Sequence, residues 1–250
     1  MFRAAQGDSA PQGDAGAEGA GPRREPSRVR VFRAGAAVAV ASPALSGRDR
    51  LAVAGPAEDA LPLVRDVLAQ IGPTYRPFGP AGLVDALVHG PPGLVSAGDP
   101  FLWMETTVRP GPGTGVVWLD ADAERAAAPL FDRHFPQSYA QPGRPGVRRW
   151  AGAYGARGRG PLLAVAADAW SAPACGFLAG VVTDPQARGC GLGAAVARFV
   201  VDALVRDHGR AALMVDADNA PAIRAYERAG LRAEPFRAAA VDRAAAPLGG

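Results

Sequence analysis

The sequence predicts an α/β fold whose sheet is of mixed direction, and two stretches carry that expectation. Residues 147–155 (VRRWAGAYG) and 160–170 (GPLLAVAADAW) read as strands joined by a Gly/Arg-rich turn, the pattern of a hairpin. Residues 175–185 (CGFLAGVVTDP), 192–209 (LGAAVARFVVDALVRDHG) and 210–218 (RAALMVDAD) read strand, helix, strand, which makes a βαβ unit. A hairpin followed by a βαβ unit requires both antiparallel and parallel neighbours.

The remaining elements follow in chain order. Residues 1–27 hold almost no large apolar side chains and cannot repay the entropy of ordering, so a disordered tail is expected there. Residues 28–112 form an N-terminal subdomain. It has a strand at VRVFRAGAAVAVA, a second near DRLAVAG, a helix at 57–72 and a strand at 101–108 (FLWMETTV). In that helix Leu61, Val64, Leu68 and Ile71 keep helical spacing, and Gly72-Pro73 stops it. RPGPGTG (109–115) reads as a linker or wide turn. A second domain, 113–250, starts with a strand and helix (VVWLDADAERAAAPLFDRHF) and continues through the hairpin and βαβ unit. A short helix closed by Gly230 and a last strand or strand pair at 231–241 complete it. On the long helix, Val196, Phe199/Val200 and Ala203/Leu204 share one face, and Arg198, Asp202 and Arg206 suggest surface pairing on the other.

Composition narrows the function classes. The net charge is +3, and all 27 basic residues are arginine because lysine is absent. In a chain this rich in Ala, Gly and Pro, that bias is no sign of a polyanionic polymer as partner, so no nucleic acid is expected. No apolar run approaches the roughly 18 residues of a membrane span. The arginines before AGAAVAVASPA (34–44) loosely imitate an export signal, but the stretch reads better as a strand. Cys175 and Cys190 make no metal-type pair and are expected as free thiols, with a cytoplasmic location the default.

The chemistry concentrates in ARGCGLGAAV (187–196), where Gly189, Gly191 and Gly193 precede a helix. A helix N-terminus presents unpaired N–H groups and a positive partial charge, a site for diphosphate. A P-loop is excluded because it needs a lysine. The dinucleotide pattern G-x-G-x-x-A is spelled by Gly189, Gly191 and Ala194, with Asp216 as a ribose-binding acid. Against it, residues 184–188 separate the strand from the first glycine, and only 34 residues follow Asp216, too few for further βα units.

VVTDPQARGCGLGAAV resembles the acyl-CoA loop of the GNAT superfamily of N-acyltransferases, Gln/Arg-x-x-Gly-x-Gly/Ala, through Arg188, Gly191 and Gly193. The family's second motif, an Asn before a helix that carries Tyr and ends in Gly, is met by DNAPAIRAYERAGL with Asn219 and Tyr226. The resemblance covers residues 116–240 and suggests an actinobacterial type whose N-terminal region is an extension or a degenerate second GNAT-like domain. It implies the GNAT fold, a mostly antiparallel sheet splayed at the CoA site. It implies an N-acetyltransferase moving an acyl group from acetyl-CoA, the co-substrate, to an unidentified primary amine of a small molecule or peptide by direct attack. No metal and no membrane are involved, and a homodimer is left open.

Carried onto this sequence, the backbone of Val181, Val182 and Thr183 would hold the pantetheine arm and supply an oxyanion donor. Arg188, Gly189, Cys190, Gly191, Leu192, Gly193 and Ala194 would hold the pyrophosphate, Asn219 would contact the cofactor or cap its helix, and Tyr226 would be the general acid. Cys190 departs from the usual basic residue and Leu231 from the usual Phe. Asp184, Asp168, Glu105 and His134 are conceivable bases, none fixed by spacing. The rival reading is a CoA-binding sensor or pseudoenzyme without turnover.

Overall fold

The computed structural model describes residues 29–90, 93–155 and 160–242, so the expected disordered tail lies outside the described residues. The chain divides into two compact units. The first comprises residues up to Pro100 together with the segment from Phe236 onward, and the second runs Phe101–Pro235.

The first unit opens with β1 (Arg30–Ala34), β2 (Ala37–Leu45) and β3 (Arg48–Ala54), a meander of antiparallel pairs. The stretch expected as one strand is therefore two. It folds back at Gly35, whose φ of +52° glycine adopts without cost. Helix α1 (Ala57–Ile71) crosses to β4 (Arg76–Pro80), which lies parallel to β3, and α2 (Ala81–His89) and β5 (Leu94–Ser96) come next. Ala60, Leu63, Val64, Val67 and Leu68 of α1 close over Ala39, Leu51 and Val53, giving the unit its own core. β4 and α2 had no strong signature because RPFGP and the flanking Gly/Pro residues imitate a turn. Gly79 belongs inside the strand, since a Cβ there would lie 2.4 Å from the Val53 carbonyl oxygen.

The second unit begins with β6 (Phe101–Thr106), which pairs with β11 although the sequence grouped it with the N-terminal subdomain. Then come β7 (Val116–Trp118), α3 (Ala121–Ala126), α4 (Ala128–His134), β8 (Val147–Tyr154), β9 (Leu162–Ala169), β10 (Gly176–Thr183), α5 (Leu192–His208), β11 (Ala211–Asp216), α6 (Ala220–Arg228) and the start of β12 (Arg232–Val241). The sheet order is β6-β11-β10-β9-β8-β7, and every pair is antiparallel except β10 with β11. A doubly wound dinucleotide fold has a different order and direction. One face carries small residues, Ala151, Ala153, Ala164 and Ala166, so α5 packs close and fills the gap with Val196, Val200 and Leu204. The other face carries Trp150, Val165 and Val182 beneath Leu130 and Phe131 of α4.

The polar face of α5 differs from expectation. Asp202 does not pair with its helix neighbours; it is 4% exposed and accepts from Arg109 Nε at 3.1 Å, Arg109 Nη2 at 2.7 Å and the Gly111 N–H at 3.0 Å. Arg198 donates to the carbonyls of Pro110 and Gly111. Residues 109–115 are thus strapped along the helix, and Gly113 allows it, because a Cβ there would sit 2.5 Å from the Ala195 carbonyl oxygen.

One order of pairings occurs twice along the chain. β2 and β3 form an antiparallel hairpin, α1 leads to β4 parallel to β3, and α2 comes after it. β9 and β10 form an antiparallel hairpin, α5 leads to β11 parallel to β10, and α6 comes after it. The strand after α6 pairs antiparallel with β4, and β6, which comes after α2, pairs antiparallel with β11.

Candidate active site

The site forms where β10 and β11 part. They pair only at Gly176–Ala211 and Phe177–Ala212, so toward Thr183 the strands separate and leave a groove of about 450 Å³. A short 3₁₀ turn, Pro185–Ala187, carries the chain from β10 to the glycine loop, with the Asp184 carboxylate accepting from the Gln186 N–H at 2.9 Å. Gly189 and Gly191 have φ of +80° and +78°, and Gly191 is the N-cap of α5. A Cβ on either would meet nothing within 4 Å, so these two are required by the turn's left-handed backbone rather than by crowding. Gly193 has another reason: a Cβ there would lie 2.8 Å from Thr183 Oγ1, so its absence lets the first turn of α5 sit against the end of β10.

The first helical bond of α5 runs from the Ala195 N–H to Gly191. The N–H groups of residues 189 to 194 have no acceptor among the described residues. The groove wall contains Val181, Thr183, Arg188, Gly189, Gly191, Leu192, Gly193, Ala194, Asn219 and Tyr226, which brings together most of the positions singled out from the sequence. Two side chains are elsewhere. Val182 points into the core on the opposite face of the sheet, and Cys190 is an exposed free thiol that does not line the groove. Asn219 caps α6, its side chain accepting from the Ala222 N–H at 3.3 Å, while remaining on the groove wall.

Tyr226 is 6% exposed, with its ring in the core beneath α5. Burial pushes its phenol well above the usual tyrosine range, so it stays protonated at neutral pH. The conceivable bases are engaged away from the groove wall. Asp168 is fully buried and bonded to Arg149 and Ser171, and Glu105 accepts from Trp103 and Arg210. Asp184 faces His134 Nε2 at 4.0 Å.

Motif spelling does not mark Arg224 and Arg228, which line the same groove from α6. Their one signal was an i, i+4 spacing on a helix expected to start at Asn219. With Arg188 they make three arginines among the lining residues, which include no Asp or Glu. Unpaired amides, left-handed glycines and these cations suit a polyanion bearing phosphates.

Residues 118–231 match the acetyltransferase (GNAT) family model. The chain carries a GNAT acetyltransferase domain. The match supports acyl transfer as the domain's chemistry. A structure of a putative GNAT acetyltransferase from Novosphingobium aromaticivorans is 23% identical, covers 85% of this chain and 91% of its own, and has a TM-score of 0.51. A GCN5-related N-acetyltransferase from Kribbella flavida is 22% identical, with coverages of 86% and 90% and a TM-score of 0.52. A third, from Sphaerobacter thermophilus, is 17% identical, covers 83% and 76%, and has a TM-score of 0.50. At these identities the likeness establishes the fold, and it reaches beyond the residues matched by the family model. No curated protein matches the sequence significantly. Among the described residues no helix is long and apolar enough to cross a membrane.

Proposed function

We propose that the GNAT domain transfers an acyl group, most often acetyl, from CoA to a primary amine of a small molecule or peptide. The observation that carries the reading is the groove, where unpaired amides of residues 189 to 194, three arginines and a protonated Tyr226 meet without a carboxylate. The loop amides and Arg188 hold the pyrophosphate, and Arg224 and Arg228 supply the positive charge missing at Cys190. The backbone of residues 181–183 holds the pantetheine arm as an added strand would.

The amine nitrogen attacks the thioester carbonyl carbon directly, and the carbonyl electrons move to oxygen, where a backbone N–H of residues 181–183 donates a hydrogen bond to the oxyanion. As the carbonyl re-forms, the C–S bond breaks and the thiolate takes the Tyr226 proton. The amine's surplus proton leaves to a base outside the groove wall or to water, and Tyr226 regains a proton from solvent to close the cycle. Two unpaired cysteines support a reducing, cytoplasmic setting.

We also infer that the first unit is a degenerate copy of the same fold, supported by the repeated order of pairings. Its helix N-terminus does not suit a second CoA. Only Gly55 and Pro56 connect β3 to α1, and the Asp59 carboxylate in the first turn accepts from the Ala36 N–H at 2.8 Å.

The test is calorimetric titration with acetyl-CoA beside thiol release over a panel of amines. Arg224→Ala with Arg228→Ala should weaken acetyl-CoA binding about tenfold, more at low salt than at high. Tyr226→Phe should keep binding while lowering kcat by about 100-fold. Tight binding with no turnover on any amine, unchanged in Tyr226→Phe, would favour a CoA-binding sensor. Stabilisation by NAD(P) but not by CoA would overturn both.

A further inference from the structure

Strand β10 is built around one oversized neighbour. Leu178 faces α5, Ala179 packs in the opposite layer with Trp150, and Val181 faces α5 again, so Gly180 is an extra residue in the alternation. The ladder with β9 shifts register between Ala179 and Val182 at the same place. Gly180 has φ of +60°, and a Cβ on it would lie 2.6 Å from Trp150 Cη2, 3.0 Å from Cζ3 and 3.1 Å from the Ala140 Cβ.

The indole occupies the space where any side chain at position 180 would go. It is fully buried and held edge-on by Phe131 at 5.1 Å, an interplanar angle of 67°. Its Nε1–H finds no acceptor among the described residues. Size, not hydrogen bonding, is the property this position uses.

A bulge frees the backbone groups of its extra residue from the ladder and re-aims the residue after it. In β10 that residue is Val181, on the groove wall, where β11 has already diverged from β10. We propose that Trp150 is a positioning residue for acyl transfer: the indole sets the Gly180 bulge, and the bulge turns the Val181 N–H toward the reacting carbonyl oxygen. The proposal deepens the acyl-transfer reading and rests on it.

The test compares Trp150→Phe, Trp150→Leu, Gly180→Ala and the double variant Gly180→Ala/Trp150→Leu, each confirmed folded by a cooperative melt. A misplaced donor should lower kcat by about 10- to 100-fold while KM for acetyl-CoA stays within about twofold. Trp150→Phe should lose least, and the double variant, with room for the new methyl group, should recover part of the loss of Gly180→Ala. In parallel, the Val181 amide resonance should move on titration with acetyl-CoA in the wild type and move less in Trp150→Leu, whether or not an amine turns over. Wild-type kcat in Trp150→Leu and Gly180→Ala, equal losses in kcat and acetyl-CoA affinity, or an unresponsive Val181 amide in the active wild type would each overturn the proposal. A wild type that binds no acetyl-CoA would instead overturn the acyl-transfer reading, and the proposal with it.

Discussion

Burial of Tyr226 against the α5 core ties the phenol's proton to stability. A phenol raised in the folded state stabilises fully below the unfolded value near pH 10, and the contribution is lost as pH rises through the folded value. Each unit above about pH 10 should remove up to roughly 1.4 kcal/mol, and Tyr226→Phe should flatten that part of the curve in denaturant melts at stepped alkaline pH. The glycines show how residue identity can be legible while its cause is not. All three in the loop invited one explanation, backbone approach by a phosphate. Gly189 and Gly191 are demanded by left-handed turns, whereas Gly193 is demanded by Thr183, a neighbour ten positions earlier that no local pattern identifies.

At the scale of elements, α5 combines a legible face with an illegible one. Its apolar stripe follows helical period and is the buried face in the structure. Its polar stripe suggested pairing within the helix, but the partner of Asp202 is Arg109, a long-range choice that spacing cannot encode. Hydrogen bonding from Arg109 holds the Asp202 carboxyl below the usual carboxylate range. A carboxyl lowered on folding stabilises fully above its unfolded value near pH 4, and the contribution is lost as pH falls through the folded value. Asp202→Asn should cost about 2 kcal/mol near neutral pH, discounted because Arg109 is half exposed, and should shrink the loss of stability as pH falls below about 4. Some acid dependence should persist, since Arg206 and Arg149 also hold Asp207 at about 2. Of the elements missed, β4, α2 and β5, the first failed for a compositional reason: Pro and Gly placed inside a strand look like a loop until the strand beside them is known.

For the molecule as a whole, the hairpin and βαβ grammar foretold a mixed sheet, and the paired loop and Asn-to-Tyr motifs marked the groove. The division into units was harder to read, because β6 and the end of β12 pair according to partners distant in sequence. Phe236–Ala238 pair with β4, and Ala239–Val241 with β5. Removing the chain from Phe236 onward should therefore strip amide protection from β4 and β5 in hydrogen exchange while leaving α5 and β9 protected. The same pairing has a consequence during synthesis. Residues 29–100 leave the ribosome before residues 101–235, yet the strand that completes their sheet is made after them, so this unit must wait with one edge open while the domain encoded between its two parts is translated. Of the two units, the one begun earlier is finished later.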